Sequence, residues 1–486
     1  MNTLLNFILT LKLDTEKYQE DILVKRLEIS RNIYNGCLGE LYKRYNHMKD
    51  SKKYQKIVKL SKGKERNKKF RELNKKYGLT EYSLHEYVKG MQKHFKKNID
   101  SFTAQKIATR SFIAFKKLMF HQANKVYFKK YGEMNSVEGK SNKTGIRFKD
   151  NKLIWNKLKI PVIIKKNDEY AHMALENKIK YCRIVRKFIR GKYKFYIQLI
   201  LDGIPPIKIN KKTGEIKNSI SRGDVGIDIG TQTIAISSQY DVKLLELAPE
   251  VKIIEKERRK LLRKLDRQRR SNNPNNYNKD GTIRKGVKLR WNNSNRYIKT
   301  KNRLKEVQRK QAVIRKQSHE KLANYILSLG NRFLVENMNY KGLQAKAKKT
   351  TINEKTMKYN KKKRFGKSLA NKAPAMFLTI LDNKLKWHDK NLLEIDTYKV
   401  KASQYNHIEN KYIKKKISDR WNDFGELKIQ RDLYSAFIIQ NVIGKNLNKI
   451  DREKMINTFD NFKKLHDKEI ERVKNSKSKL IASMGI

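Results

Sequence analysis

The 486 residues hold 115 Lys and Arg against 48 Asp and Glu, a formal net charge of +67. A globular chain with that surplus repels itself at low salt and is best understood as one half of a complex with a polyanion. Only 6 Pro and 22 Gly, beside 24 Tyr and 18 Phe, exclude a disordered basic tail, and two cysteines, Cys37 and Cys182, exclude a disulfide framework or a four-cysteine zinc site.

The length suggests two to four domains. Residues 7–13 alternate with the period of a strand, and Asp14-Thr15 offers a helix cap. From there to about 130 the pattern is helical, with a Lys-rich stretch at 50–76 separating two helical groups. Strands return near 146. Residues 181–189 and 193–201, joined by Arg190-Gly191-Lys192, form a hairpin pattern with Tyr193, Phe195, Ile197, Leu199 and Leu201 on one face. A β module at 1–13 and 140–205 thus flanks a helical insertion at 14–139, and 206–222 is a linker. A new unit starts at 223, with two strands over 225–236 turning at Gly230. Long basic helices follow at 249–270 and 299–329, with a polar loop at 271–298 between them. Then come a short buried strand at 333–336, a Lys-rich mobile stretch at 344–372, a helix through Phe377, Leu381 and Leu385, and a strand at 392–395. An irregular insert at 398–428, a helix from Asp432 and a charged helical tail at 446–486 complete the chain.

A membrane is the competing polyanion. Against it, basic residues run through the whole chain, apolar runs such as 436–439 are far too short to span a bilayer, and no cationic region precedes the first apolar stretch. No membrane partner and no secretory signal are expected, and a reducing, cytoplasmic setting is.

Three acids stand out. Asp228 sits in Gly226-Ile227-Asp228-Ile229-Gly230, facing away from Val225, Ile227 and Ile229, with two glycines leaving room for metal, phosphate and water. A lone acid in an apolar strand costs several kcal/mol unless compensated, and a divalent cation compensates it well. The pentapeptide alone is weak, since a buried Asp can simply bond backbone. Glu336 ends the apolar strand 333–336. Asp432 stands at a helix start, where a plain N-cap is the bland reading. Three acids on separate elements, in a chain at +67, are what a two-metal phosphodiesterase requires.

The motifs VGIDIGTQTIAIS, FLVENMNYKGL and QRDLYSAF follow in that order. So do the helices bearing QSHEK and FLTILDNKLKWHD, Ser403-Gln404 at the head of the insert, and Arg31-Asn32-Ile33-Tyr34-Asn35 near the N-terminus. In these the chain resembles the TnpB-type transposon-associated nucleases and the small type V CRISPR effectors, strongly over 223–440 and loosely before.

The resemblance implies an α/β multidomain protein. An RNase H-like (RuvC) nuclease domain would span 223–397 and 429–445. A β-barrel-like wedge domain (1–13 and 140–205) would carry the helical recognition insertion. It makes Asp228, Glu336 and Asp432 the metal-binding catalytic triad, with Mg²⁺ or Mn²⁺, and implies RNA-guided cleavage of double-stranded DNA with a guide RNA as partner. The family's zinc ribbon is replaced at 398–428 by a cysteine-free insert offering Tyr405, Asn406, His407 and Trp421, so no zinc is expected. The third motif departs from the family's Asp-Arg-Asp-x-Asn-Ala-Ala at Gln430, Tyr434 and Ser435.

Arg258, Arg259, Arg263, Arg267, Arg269 and Arg270 crowd one segment and are candidates for phosphate contact, against the plainer reading of a solvated face. His319 is expected to be structural, and Tyr82, Tyr87 and Phe95 to be core. Lys346–Lys349 and Lys358–Lys367 are candidates for a lid or a tether. A guide-free nuclease on the same fold and a nuclease-inactive RNA-guided DNA-binding protein remain as alternatives. An actin-like ATPase is disfavoured, because no further Gly-rich phosphate loop is found.

Overall fold

Strand β1 (Asn6–Leu13) follows its sequence, with Phe7, Leu9, Leu11 and Leu13 buried and the intervening residues exposed. The structure is a computed structural model that describes every residue except 1–4, 211, 348–349, 355–356, 358, 361–364, 417 and 477–483. Residues 1–4, at the head of the stretch on which the expectation of no secretory signal rests, thus lie outside the described part. Two units divide the chain, Met1–Pro206 and Ile207–Ile486.

In the first unit β1 leads into helices α1 (Lys17–Asp50), α2 (Lys52–Val58), α3 (Lys64–Lys76), α4 (Glu81–His94) and α5 (Ser101–Met119). The expected Asp14-Thr15 cap is not used; the Gln19 side chain instead accepts the Glu16 N–H at 3.0 Å. The Lys-rich stretch at 50–76 is itself helical, because its lysines tolerate a solvated helix and Glu65 pairs with Lys69 one turn on. Helix ends at Met119, short of 130, and 120–135 is irregular.

Strands β2 (Ser136–Glu138), β3 (Ile146–Lys149), β4 (Lys152–Trp155) and β5 (Leu158–Ile163), helix α6 (Glu169–Leu175), and strands β6 (Ile179–Ile189) and β7 (Lys192–Asp202) complete the unit. The β6–β7 hairpin turns through Arg190 and Gly191, both at positive φ, as a two-residue turn between twisted strands requires. The seven strands run β2-β6-β7-β1-β5-β4-β3. The sheet curls until Asn142, bonded through its N–H to Lys180 O, also bridges to the Phe148 backbone on the far edge strand. The inner face of the curl packs on α1 and α5 in one core.

In the second unit the sheet order is β10-β9-β8-β11-β12. Strands β8 (Asp224–Ile229), β9 (Thr233–Ser237) and β10 (Val242–Glu246) form an antiparallel meander, whose third strand the sequence pattern had not shown. Helices α7 (Val251–Asn272) and α8 (Asn295–Leu327) then return the chain to β11 (Arg332–Glu336), parallel to β8. Short helices α9 (Tyr340–Leu343) and α10 (Gly366–Lys372) precede α11 (Pro374–Lys386) and β12 (Leu392–Ile395), parallel to β11. Lys348, Lys349, Lys358 and 361–364 of the lid candidates lie outside the described residues.

Helix α12 (Thr397–Val400) opens the insert. It is less irregular than expected, containing two small hairpins, β13 (Tyr405–Asn406) with β14 (Lys411–Tyr412) and β15 (Trp421–Phe424) with β16 (Leu427–Gln430). Helix α13 (Arg431–Gln440), the pair β17 (Val442–Ile443) and β18 (Lys449–Ile450), and α14 (Arg452–Lys474) end the unit.

Both faces of this sheet are covered. Val225, Ile227, Ile229, Phe333 and Val335 pack on α8 and α11, where Phe377, Leu381 and Leu385, four residues apart, are fully buried. Each such side chain contributes about 1.5–3 kcal/mol of burial. Leu334 and Ala235 point to the other face, against α13 and α14. Helix α13 lies unusually close. A Cβ on Gly226 would stand 2.0 Å from Ala436 O and 2.4 Å from Gln440 N. The space left by Gly226 is therefore filled by helix backbone, a correction to its reading as room for metal and phosphate. Among the described residues no helix is long and apolar enough to cross a membrane.

Candidate active site

The alternation of the two parallel strands places the acids. In β8 the odd-numbered Val225, Ile227 and Ile229 face α8 and α11, so Asp228 faces α13. In β11 Leu334 faces α13, and so does Glu336 two residues on. The register that pairs Val335 with Ile227 sets Glu336 beside Asp228 at the carboxyl ends of both strands. Ligands of open α/β sheets sit in the crevice at those ends.

Asp432 comes from the first turn of α13, held against the strand by the Gly226 approach. The bland N-cap reading of Asp432 fails, because Gln430 caps the helix by accepting the Leu433 N–H at 2.8 Å. A departure in the third motif thus supplies the cap and leaves Asp432 free of that duty.

Burial, and then the charges of Asp432 and Glu336, push the Asp228 carboxyl well above the ordinary carboxylate range, with Arg431 opposing. Burial raises Glu336 as well. The Tyr340 hydroxyl, buried and without a hydrogen-bond partner among the described residues, is pushed up by burial and by Asp228 and Glu336. Sequence reasoning missed Tyr340, although it lies inside the second motif.

Asp228 and Asp432 line a cavity of about 230 Å³ with Gly230, Thr231, Arg420 and Arg431 among its walls. Asp432 turns its oxygens to Arg431 at 3.5 Å and Arg420 at 3.8 Å. As placed, no three His, Cys, Asp or Glu side chains among the described residues gather closely enough to share an ion. The donor chemistry nonetheless fits a hard divalent cation: three carboxylates stand on one face, the charges of two of them raise Asp228, and the Tyr340 hydroxyl beside them is unsatisfied among the described residues.

The insert forms one wall of this cavity through Ser403 and Arg420. It is fixed without cysteine. The His407 N–H donates to the Tyr434 hydroxyl at 3.1 Å, and that hydroxyl lies 2.6 Å from His407 Nδ1. The imidazole packs on Phe459 at 4.5 Å between centroids, and Arg452 donates to the carbonyls of His407 and Ile408. Burial, then Arg452, pushes His407 down to about 4, so the ring is neutral. Trp421 donates to Gly485 O at 2.8 Å. The departures at Tyr434 and in the insert are therefore one arrangement, which neither motif discloses alone.

The six arginine candidates separate. Arg258 and Arg259 pair with Glu255, and Arg269 and Arg270 with Asp266. Arg269 and Arg270 also lie over the Trp291 and Tyr277 rings. Arg263 and Arg267 are exposed and have no ion-pair partner among the described residues. They share a face of α7 with the exposed Lys256, Lys260 and Lys264. His319 is buried and bonded to Lys372 O at 2.8 Å. Tyr82 is not core: it is 83% exposed.

The chain matches no family model and no curated protein. Several solved structures contain similar chains. One is a cryo-EM structure of a Cas12f1–sgRNA–target DNA complex (11% identity, TM-score 0.42), matched over 90% of this chain and 99% of that chain. Another is a CRISPR-Cas12f ternary complex (14% identity, TM-score 0.26), matched over 88% and 83%. With TM-scores this low neither likeness bears on the chemistry, which rests on the residues above.

Proposed function

We propose that the chain is a metal-dependent endonuclease of the RNase H-like (RuvC) type, directed to double-stranded DNA by a guide RNA. The observation that carries this is the convergence of Asp228, Glu336 and Asp432, from three separate elements, on one face of the sheet in a chain at +67. The three carboxylates would hold Mg²⁺ or Mn²⁺, which when bound activates a water and stabilises the leaving 3′ oxygen. The chain's own part is to bury and orient those acids, to narrow the entrance with the insert, and to offer the Arg420 and Arg431 guanidiniums to a phosphate.

The guide is supported by the motif resemblance and by the charge. In this reading 1–13 and 140–205 are the wedge, 14–139 the recognition helices, and 223–397 with 429–445 the nuclease. A nuclease-inactive, RNA-guided DNA-binding protein is the second reading, favoured by the two arginines now holding Asp432.

The test is to express the chain with its native flanking DNA, sequence the RNA that co-purifies, and assay cleavage of a matched plasmid with Mg²⁺. A discrete RNA required for site-specific cleavage is expected. A heterogeneous RNA smear, with cleavage unaffected by RNase, would establish the guide-free nuclease. Specific binding with no cleavage would establish the inactive reading.

A further inference from the structure

The irregular segment between α5 and β2 is not loose. Its backbone is pinned every third residue by side chains, three of them spaced seven apart along α1. Tyr42 Oη bonds both the N–H and the carbonyl of Val126, at 3.0 and 2.9 Å. Asn35 bonds both the N–H and the carbonyl of Lys129, each at 2.9 Å. Glu28 accepts the Gly132 N–H at 2.9 Å, and Arg186 donates to the Gly132 carbonyl at 2.9 Å.

The spacing has a simple cause. Seven helical residues rise about 10.5 Å, and three extended residues span about 10 Å. A strap running antiparallel to α1 therefore meets positions 42, 35 and 28 in turn. The Arg31–Tyr34–Asn35 motif converges on the middle pin: Arg31 also donates to Lys129 O, and the Lys129 ammonium lies 5.1 Å from the Tyr34 ring centroid. The motif is thereby explained as a clamp on this strap.

What the strap holds up lies between the pins. Tyr127 is 73% exposed, Phe128 53% and Tyr131 79%. They are interleaved with Lys125, Lys129 and Lys130. Large rings left in water on a backbone this firmly held need a partner, and a pre-ordered strap lowers the cost of binding one. A second copy of this chain would bring like charge against these lysines. Nucleic acid brings phosphates to the lysines and flat π-faces to the rings.

We propose that residues 125–131 form a stacking platform for unpaired nucleobases, with Tyr127 and Tyr131 as two separate stacking points and the exposed Lys125 and Lys130 on the adjoining phosphates. This rests on the nucleic-acid reading above and adds to it a surface that tells exposed bases from bare backbone.

The experiment measures anisotropy of labelled 20-mers of dT, of U and of abasic sugar-phosphate on the full chain, beside a Tyr127→Ala/Tyr131→Ala double variant. Each stacked base is worth about 5- to 150-fold in affinity. The wild type should prefer bases to abasic backbone, and the double variant should lose at least about fivefold of that preference. Its abasic affinity and salt slope should stay as in the wild type. The dT and U arms show whether DNA or RNA is the better source of bases. A preference unchanged in the variant, or absent in both proteins, overturns the platform and leaves the nuclease reading standing. Binding of no oligonucleotide by the wild type at low salt removes both. A variant that differs only in oligomeric state by light scattering makes the strap a self-association surface and also overturns the proposal.

Discussion

Two buried carboxylates on one sheet are treated in opposite ways. At the β10 edge, Glu469 of α14 is fully buried and saturated: it accepts the Leu244 N–H at 2.8 Å, both Arg472 donors at 2.6 Å, and pairs with Lys243 at 3.4 Å. At the β8–β11 ends Asp228 is surrounded by Asp432 and Glu336, with Arg431 opposing them, and its carboxyl is pushed well up. The chain has 115 Lys and Arg and places three donors on Glu469, yet it packs acids around Asp228. A structural carboxylate is neutralised from within the protein. One left uncompensated among its own kind is stabilised by something brought from outside, and a hard divalent cation is the natural candidate.

The largest expected effect tests that contrast directly. Asp228→Ala, Glu336→Ala and Asp432→Ala should each lower cleavage by at least about 10²-fold, with DNA binding retained in a gel-shift assay. Glu469→Gln should leave cleavage per folded molecule near wild type. Near-normal cleavage by the Asp432 variant would remove that residue from the site.

Next comes the helix approach that makes the site. Gly226→Ala drives a methyl into the α13 backbone at 2.0 Å, where nothing flexible can yield. Overpacking of this kind costs about 1–3 kcal/mol or more, read as a lowered midpoint in urea. Because α13 carries Asp432, cleavage should fall further than stability explains. A variant with normal stability and cleavage would show that the two backbones are farther apart than described.

The stability of the two acids should differ in sign. The folded pKa of Asp228 is raised, so between its unfolded and folded values the folded state binds more protons and stability falls as pH rises. Asp228→Asn removes that penalty. It should raise the melting midpoint at neutral pH and leave it unchanged below the ordinary carboxylate range, where wild-type Asp228 is protonated in both states. Glu469→Gln should lower the midpoint at neutral pH, with stability reduced by about 1–3 kcal/mol, since it takes the opposite charge from Arg472. Mg²⁺ should raise the midpoint of the wild type and not of Asp228→Ala. Shifts of one sign for both substitutions would mean Asp228 is compensated after all.

Much of this was legible because it is periodic. Strand alternation at 225–229 and 333–336 told which way Asp228 would face, and the Arg190-Gly191 turn told the hairpin. The acids could be named from residue type and context. What escaped was whatever depends on a distant partner. Gly226 serves helix α13, more than two hundred residues away. Arg420 lies in the insert with no local pattern that marks it as a neighbour of Asp432, whereas Tyr340 and Arg431 stand inside the second and third motifs and could have been read from them. Tyr82 is exposed although its spacing resembles core, and the lysines at 50–76 form helices because solvent accepts them.

The smallest effect concerns the insert, where burial has produced the reverse of the Asp228 situation: a neutral group satisfied by neutral partners. His407, pushed down to about 4, titrates near 6.5 in the unfolded chain. Between those values the unfolded state binds more protons, so the stability tied to the neutral ring is fully present above about pH 6.5 and is lost as pH falls toward 4. Protection of the insert from trypsin at Lys411 and Lys414 should follow that window, and His407→Gln should flatten it. Tyr434→Phe removes the hydroxyl that meets the His407 backbone N–H and its ring Nδ1 and should cost about 1–3 kcal/mol. A chelator should change none of this, since the contacts that fix the insert are aromatic packing and hydrogen bonds from Arg452, His407 and Trp421. If chelation alone exposed the insert to trypsin, a metal would be holding it, and the His407–Tyr434 contact would be a consequence of that binding and not its replacement.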